Sequence, residues 1–211
     1  MNNQIDIDKP KYNGYSEITC DTYCKFRLEC EQLGLDKEDL DKAHVALFYG
    51  ISLTQLYSLP LTTYNLMLAK VIEFNNKLNT INTQYYQYKG KFYYLYLDID
   101  NMKVGHFADL EHIEAQFPII WNRLPNIVSM LLYTEEQLDD NDTLNYSGAI
   151  AMSRVDDVKQ FPISIILGFH NLYIQKKKTL QIITQRYIET VNQLEILKEL
   201  MIKKQLEQKL T

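Results

Sequence analysis

Glycine is scarce in this chain, with seven in 211 residues, and none sits in a phosphate-cradling or dinucleotide-binding pattern. Without a GxxxxGK[ST] or GxGxxG segment, the backbone-amide cradles that hold nucleotide phosphates are excluded. Cysteine is scarcer. Cys20, Cys24 and Cys30 are an odd number with no second cluster elsewhere, which excludes a disulfide framework and suits reduced thiols. Cys20 and Cys24 share a helical face at i,i+4, yet no second cysteine pair or nearby histidine completes four ligands, so they read as small buried apolar residues, not zinc ligands. The four histidines form no paired-His zinc motif. No basic segment followed by an apolar run opens the sequence, so no secretory signal is expected. The longest apolar stretch, 161–174, contains His170 and Asn171 and is too short to span a bilayer. A soluble protein with no membrane contact is expected.

What is present is an ordinary globular balance, 46% hydrophobic and 23% charged residues, which argues against wholesale disorder. The net charge of −5 hides an asymmetry: residues 176–211 hold eight Lys/Arg against four Glu, whereas residues 1–175 hold fourteen basic and twenty-three acidic side chains. The basic end suits an acidic surface, another copy's body included.

The pattern predicts an α+β protein that is mainly α-helical, with an N-terminal helical cluster, a central β-hairpin and a long C-terminal helix. Residues 1–14 are polar, contain Pro10 and Gly14, and read as an extended arm. Residues 15–175 form the body and 176–211 an extension of the last helix. A first helix starts near Thr19, with Tyr23, Phe26, Cys30 and Leu33 at helical spacing and Gly34 as its stop. A second follows Asp36, with Leu40, Ala43 and Leu47 inward and Gly50 past its end. Ser52 and Gln55 make a capping box for a short helix ended by Pro60. A fourth opens at Thr62 or Thr63 and carries the stripe Met67, Val71, Phe74 and Leu78.

Strands at 85–88 and 91–98 flank Lys89–Gly90, where glycine supplies the positive φ of a tight turn. Phe92, Tyr94 and Tyr96 point one way; Tyr93, Leu95 and Leu97 point the other. Because a lone hairpin is marginal in water, the ribbon must be covered on both sides or joined by further strands. Phe92 and Tyr94 are therefore expected to be at least partly buried, with a partner protein as one possible cover. Helices follow over 104–117 and 119–133, separated at Pro118 and bent at Pro125. The acidic stretch 135–142 reads as a solvated loop; it lacks the glycine turn and terminal glutamate of a calcium loop.

From Pro162 no strong helix stop occurs, so one helix of about 70 Å is predicted at about 1.5 Å per residue. Residues 163–174 are apolar all round and belong in the core. Leu180, Ile183, Tyr187, Val191, Leu194, Leu197 and Met201 then form a stripe at coiled-coil spacing that needs another helix. Two covers are open: the chain's own body, or a second polypeptide, which makes a homo-oligomer through this helix one outcome. With Phe92, Tyr94 and Tyr96, these seven residues are the candidate interaction surface.

Catalytic readings are poorly supported. His106 and Asp109 at i,i+3 have no nucleophile motif nearby and read as a partly exposed helix pair, with His112 on another face. Asp98 and Asp100 fit a strand-to-helix turn. Lys176, Lys177 and Lys178 read as a solvated segment, not a nucleic-acid contact. No catalytic residue, cofactor or metal ligand is assigned.

The run YSEITCDTYCKF, then LDKAHVALFYGISLTQLYSLP, then YKGKFYYLYLDIDNMKVGHFADLEHI resembles a group of small tailed-bacteriophage proteins associated with tail-assembly chaperones and other virion-assembly factors. The matching pieces are residues 16–19, 50–52, 90–93 and 105–110, within a resemblance that covers about residues 15–175. Lys103 departs from the pattern, standing where a capping Ser or Thr is expected, and the helix after Thr179 exceeds the family core. The resemblance implies a non-enzymatic structural or assembly component of a virion, bound to portal, neck, tail or packaged proteins. It would act in the particle and, during assembly, in the bacterial host cytoplasm. The alternative is a transient cytosolic tail-assembly chaperone that is not retained. Richness in Asn, Tyr, Ile and Lys suits an AT-rich genome such as that of a crAss-like phage of Bacteroidetes.

Overall fold

The computed structural model describes residues 7–75, 83–140 and 143–209, the side chains of 74, 75, 187, 191 and 194–209 excepted. Four helices open the chain: α1 (Cys20–Gln32), α2 (Lys37–Tyr49), α3 (Leu53–Tyr57) and α4 (Leu61–Asn75). Their ends are set by local chemistry. Thr19 accepts from the Thr22 N–H and Asp36 from the Asp39 N–H, while Gly50 closes α2 in the left-handed region at φ 64°. Ser52 and Gln55 form the expected reciprocal capping box. Residues 7–14 are not helical but are pinned to the end of α2: Tyr12 N–H donates to the Phe48 carbonyl at 3.1 Å and Tyr49 Oη donates to the Ile7 carbonyl at 2.9 Å.

Strands β1 (Tyr85–Tyr88) and β2 (Lys91–Leu95) pair antiparallel around Lys89 and Gly90, whose φ of 48° and 80° give the doubly left-handed turn suited to a twisted hairpin. β2 is shorter than the sequence implies. It gains a partner that the sequence did not announce, the two-residue β3 (Leu132–Tyr133), so the sheet order is β1-β2-β3. Between them lie α5 (Val104–Gln116) and α6 (Ile120–Leu131), and after them α7 (Gly148–Ser153), α8 (Val155–Gln160) and α9 (Ile163–Lys209).

Helix α6 is the hub, packing against α1, α5, α7, α8 and the first turns of α9. Its Leu124, Ile127, Val128 and Leu131 are sealed from solvent, as are Phe161, Ile163, Ile166 and Phe169. Each such side chain contributes roughly 1.5–3 kcal/mol through removal of apolar surface from water. A short antiparallel bridge, Thr19 with Pro162, lays the starts of α1 and α9 side by side: Cys20 N–H donates to the Phe161 carbonyl and Ile163 N–H to the Ile18 carbonyl, both at 2.8 Å.

The buried faces differ from the periodic stripes in places. In α1, Tyr23 and Cys30 are buried and Phe26 half-buried, but Leu33, one residue past the helix, is exposed. In α2, Ala43 is buried and Leu40 and Leu47 only half-buried, because the helix contacts α1, α3 and α4 and so buries a broad arc including Val45, Ala46, Phe48 and Tyr49. Met67 and Val71 of α4 are buried as expected; Phe74 is a side chain outside the description and Leu78 lies outside the described residues. Among the described residues no helix is long and apolar enough to cross a membrane.

Candidate functional site

The two faces of the sheet have different fates. Tyr86, Tyr88 and Tyr93 close around Phe161, ring centroids 4.8–5.2 Å away, and with Leu95 they form the inner face. On the outer face Phe92 is 41% exposed, a correction to its expected burial, and Tyr85 is 53% exposed. Tyr94 and Tyr96 are half-buried. β3 supplies the physical reason: it covers β2 along its edge, which satisfies the backbone without any layer being placed over the outer rings. These rings touch in series. Phe92 meets Tyr94 at 6.3 Å, Tyr94 meets Tyr133 at 5.5 Å, Tyr133 meets Tyr96 at 6.4 Å, and Tyr96 meets His106 at 5.6 Å. Tyr94 Oη also donates to Glu135 at 2.7 Å.

The row ends at His106, which is 1% exposed, not the partly exposed residue expected. Its ring stacks on Tyr146 at 3.9 Å with 7° between planes, and its Nε2 lies 2.8 Å from the Met130 carbonyl. A carbonyl only accepts, so Nε2 carries the proton and Nδ1 the lone pair. Burial pushes the imidazole down to about 4, against a weaker opposing pull from that carbonyl, so the ring is neutral at pH 7. Asp109 reaches His106 only through the stack: Tyr146 Oη donates to Asp109 Oδ2 at 2.7 Å. Burial, then that bond, raises the Tyr146 hydroxyl far above its ordinary range. His112 is exposed on the other side of α5.

Behind Tyr146 lies a buried polar network that the sequence did not reveal. Arg154, 7% exposed between α7 and α8, donates to Gln137 Oε1 and, at 3.2 Å, to the Ser129 carbonyl. It forms no ion pair among the described residues, and desolvation lowers it to about 10. Gln137 belongs to the acidic stretch expected to be a solvated loop. Instead residues Glu135–Gln137 make a 3-10 turn with a Thr134 capping box, and Gln137 is buried. Tyr93 Oη donates to Asp157 at 2.8 Å; burial, then that bond, push it up to about 12. Arg154 is a cation held by neutral acceptors, and among the described residues of the network no nucleophile stands beside a base, so it reads as a structural clasp.

A second histidine is held similarly. His44 Nδ1 donates to the Leu40 carbonyl at 2.9 Å and Nε2 faces Tyr23 Oη at 3.3 Å, with burial lowering its affinity for a proton. Cys20 and Cys24 are buried with sulfurs 3.8 Å apart, and Cys30 is buried without a disulfide. Among the described residues no group of three or more His, Cys, Asp or Glu converges as a metal site.

Helix α9 contributes the other part of the candidate surface. Residues Ile163 to Tyr173 run through the core, and Glu114 of α5 latches the next turn by accepting from Lys177 at 2.8 Å and Tyr173 at 3.3 Å. Leu180 still packs half-buried against the body's own core, so that member of the predicted stripe is covered within the chain. Beyond it every described side chain is exposed, Ile183 at 56% and also Ile182 at 54% and Ile188 at 47%. Tyr187, Val191, Leu194, Leu197 and Met201 lie on the same helix, but their side chains are outside the description. Of the three adjacent lysines, Lys177 is engaged by Glu114, while Lys176 and Lys178 are exposed.

Comparison with known proteins yields no match: no family model fits the chain, and neither a curated protein nor a solved structure matches it.

Proposed function

We propose that this protein is a non-enzymatic structural or assembly component of a tailed-phage particle, holding a portal, neck, tail or packaged protein through α9 and the outer face of the sheet. The observation that carries the reading is the exposure of α9 beyond Leu180. Three isoleucines, Ile182, Ile183 and Ile188, stand about half exposed on a helix of 47 residues, roughly 70 Å at about 1.5 Å per residue. Apolar side chains kept on an ordered helix that its own body does not cover are a surface for a permanent partner. The basic excess of that segment suits an acidic partner. The phage context comes from the residue runs at 16–19, 50–52, 90–93 and 105–110, and retention in the particle from the helix that exceeds the family core.

Mass spectrometry of purified particles, combined with cross-linking inside them, tests this reading. The protein is expected in the particle, with residues 181–190 linked to a second polypeptide. Absence from particles, together with capture of a tail protein in infected-cell lysate, transfers the assignment to a transient chaperone. Links confined to the chain's own residues 15–175 overturn the interface.

A further inference from the structure

The row of rings on the outer face of the sheet leads to a cavity of about 280 Å³ between Tyr96, Asn101, Lys103, His106, Leu144 and Tyr146. Three features meet there. Helix α5 starts beside the cavity without a side-chain cap: Lys103 has the extended backbone of a cap residue, φ −61° and ψ 143°, but lacks an acceptor oxygen. The first-turn N–H groups of Val104, Gly105 and His106 thus have no acceptor among the described residues, and no acidic side chain occupies that turn. Second, His106 is buried, yet it lines the cavity, and its Nδ1 has no donor among the described residues. Third, Tyr96, Tyr146 and Leu144 add apolar carbon to the cavity's lining.

These features select a ligand. The helix terminus and the Lys103 ammonium favour a negative group that accepts hydrogen bonds. His106 Nδ1, held as an acceptor by the carbonyl on Nε2, requires a donor beside it. A sulfate, or a phosphate monoester as its dianion, offers no donor and would set oxygen lone pairs against nitrogen's. A cation meets the positive helix end. The Asp98 carboxylate at the rim disfavours an anion, but it accepts twice from Asn101 Nδ2, at 3.0 and 3.2 Å, and Lys103 offsets its charge. A carboxylate with an amide N–H one carbon away satisfies both demands, the nitrogen and carboxyl carbon being about 2.5 Å apart.

We propose that this cavity binds the C-terminal residue of a polypeptide. The terminal carboxylate accepts from the first turn of α5 and from Lys103. The last amide N–H donates to His106 Nδ1, and the terminal side chain lies against Tyr96 and Leu144. The preceding residues run along Tyr133, Tyr94 and Phe92, so the exposed rings and the cavity form one surface. This deepens the reading of the chain as an interaction protein and rests on that reading only for the polypeptide source.

The full-length protein is titrated with N-acetyl-L-leucine, N-acetyl-L-leucinamide, sodium sulfate and a pentapeptide ending in leucine, by calorimetry and by the imidazole 15N resonances. N-acetyl-L-leucine is expected to bind at least tenfold more tightly than its amide and to shift the His106 Nδ1 resonance, with the pentapeptide tighter again by about tenfold. Replacement Lys103→Ser supplies the missing cap. It is expected to raise Tm while weakening the carboxylate at least tenfold, a split that a merely structural lysine does not produce. Equal binding of acid and amide, preference for sulfate, an unmoved Nδ1 resonance, or no saturable binding each overturns the site. Equal affinity for N-acetyl-L-leucine and the pentapeptide overturns the polypeptide source in favour of a free N-acyl amino acid. Since these measurements use the isolated protein, their failure is distinct from absence of the protein from particles.

Discussion

Helix α9 is one continuous element with two environments. From Ile163 to Tyr173 it lies in the core, with Ile166 and Phe169 sealed off; from Gln181 onward its described side chains face solvent. The backbone is the same in both halves, so hydrogen bonding along the helix does not distinguish them. Burial does. The first half is held by tertiary packing, as most helices in proteins are, whereas the second relies on its own propensity and on continuation from an anchored first half. The place where one regime gives way to the other is marked by the Glu114 latch on Lys177 and Tyr173 and by the half-buried Leu180.

The largest test of that contrast is substitution on each side of the latch. Phe169→Ala removes a sealed aromatic ring and is expected to cost about 3–5 kcal/mol in urea denaturation. Ile183→Ala is expected to change stability by under ~0.5 kcal/mol. Similar costs at both sites would mean that the second half is covered in solution.

Acid probes the buried side through its histidines. The burial that lowers His106 to about 4 makes the unfolded chain bind more protons between about pH 6.5 and pH 4, so stability is full above that window and falls as pH drops through it. The expected loss is about 3 kcal/mol for this group, with His44 and His170, also lowered by burial, adding in the same direction. Denaturation midpoints between pH 7 and pH 4 should trace it, and His106→Asn should flatten the slope. A stability independent of pH over that range would place His106 in contact with water.

At the boundary, Lys177→Ala breaks a pair whose side chains are about a quarter exposed, and solvent screening keeps the expected cost within ~0–1 kcal/mol. Hydrogen exchange sharpens the point: the lysine variant should open residues 174–180 faster while leaving 163–170 protected. The smallest effect on the isolated protein is expected from Ile183→Ser, which should leave the denaturation midpoint within error but lower the recovery of the protein in purified particles. If recovery is unchanged, this side of α9 is not the interface.

What could be read from the residues follows from how local each signal is. The capping box at Ser52 and Gln55, the stops at Gly34 and Gly50 and the Lys89–Gly90 turn are decided within four residues of chain, and all stand where the sequence puts them. The interaction candidates divide by the same measure. Alternation in β2 placed Phe92, Tyr94 and Tyr96 on one face, but alternation says nothing of what covers a face, so the exposure of Phe92 was missed. His106 escaped similarly. Its burial comes from Met130 and Tyr146, 24 and 40 positions away, and no spacing on α5 signals either contact.

The sequence by itself determined that the chain is mainly helical, where the hairpin turns, and that the last helix does not stop, because periodicity, propensity and capping act over one or two turns of backbone. Only the tertiary structure decided that Leu132 and Tyr133 leave the helical run to become a third strand, that Arg154 and His106 are buried, and that the described side chains of α9 are exposed beyond Leu180. Those outcomes depend on which surfaces meet. A two-residue strand has no period of its own and exists because β2 presents an open edge to it. The burial of a side chain, likewise, is fixed by the element packed against it and not by its neighbours in sequence.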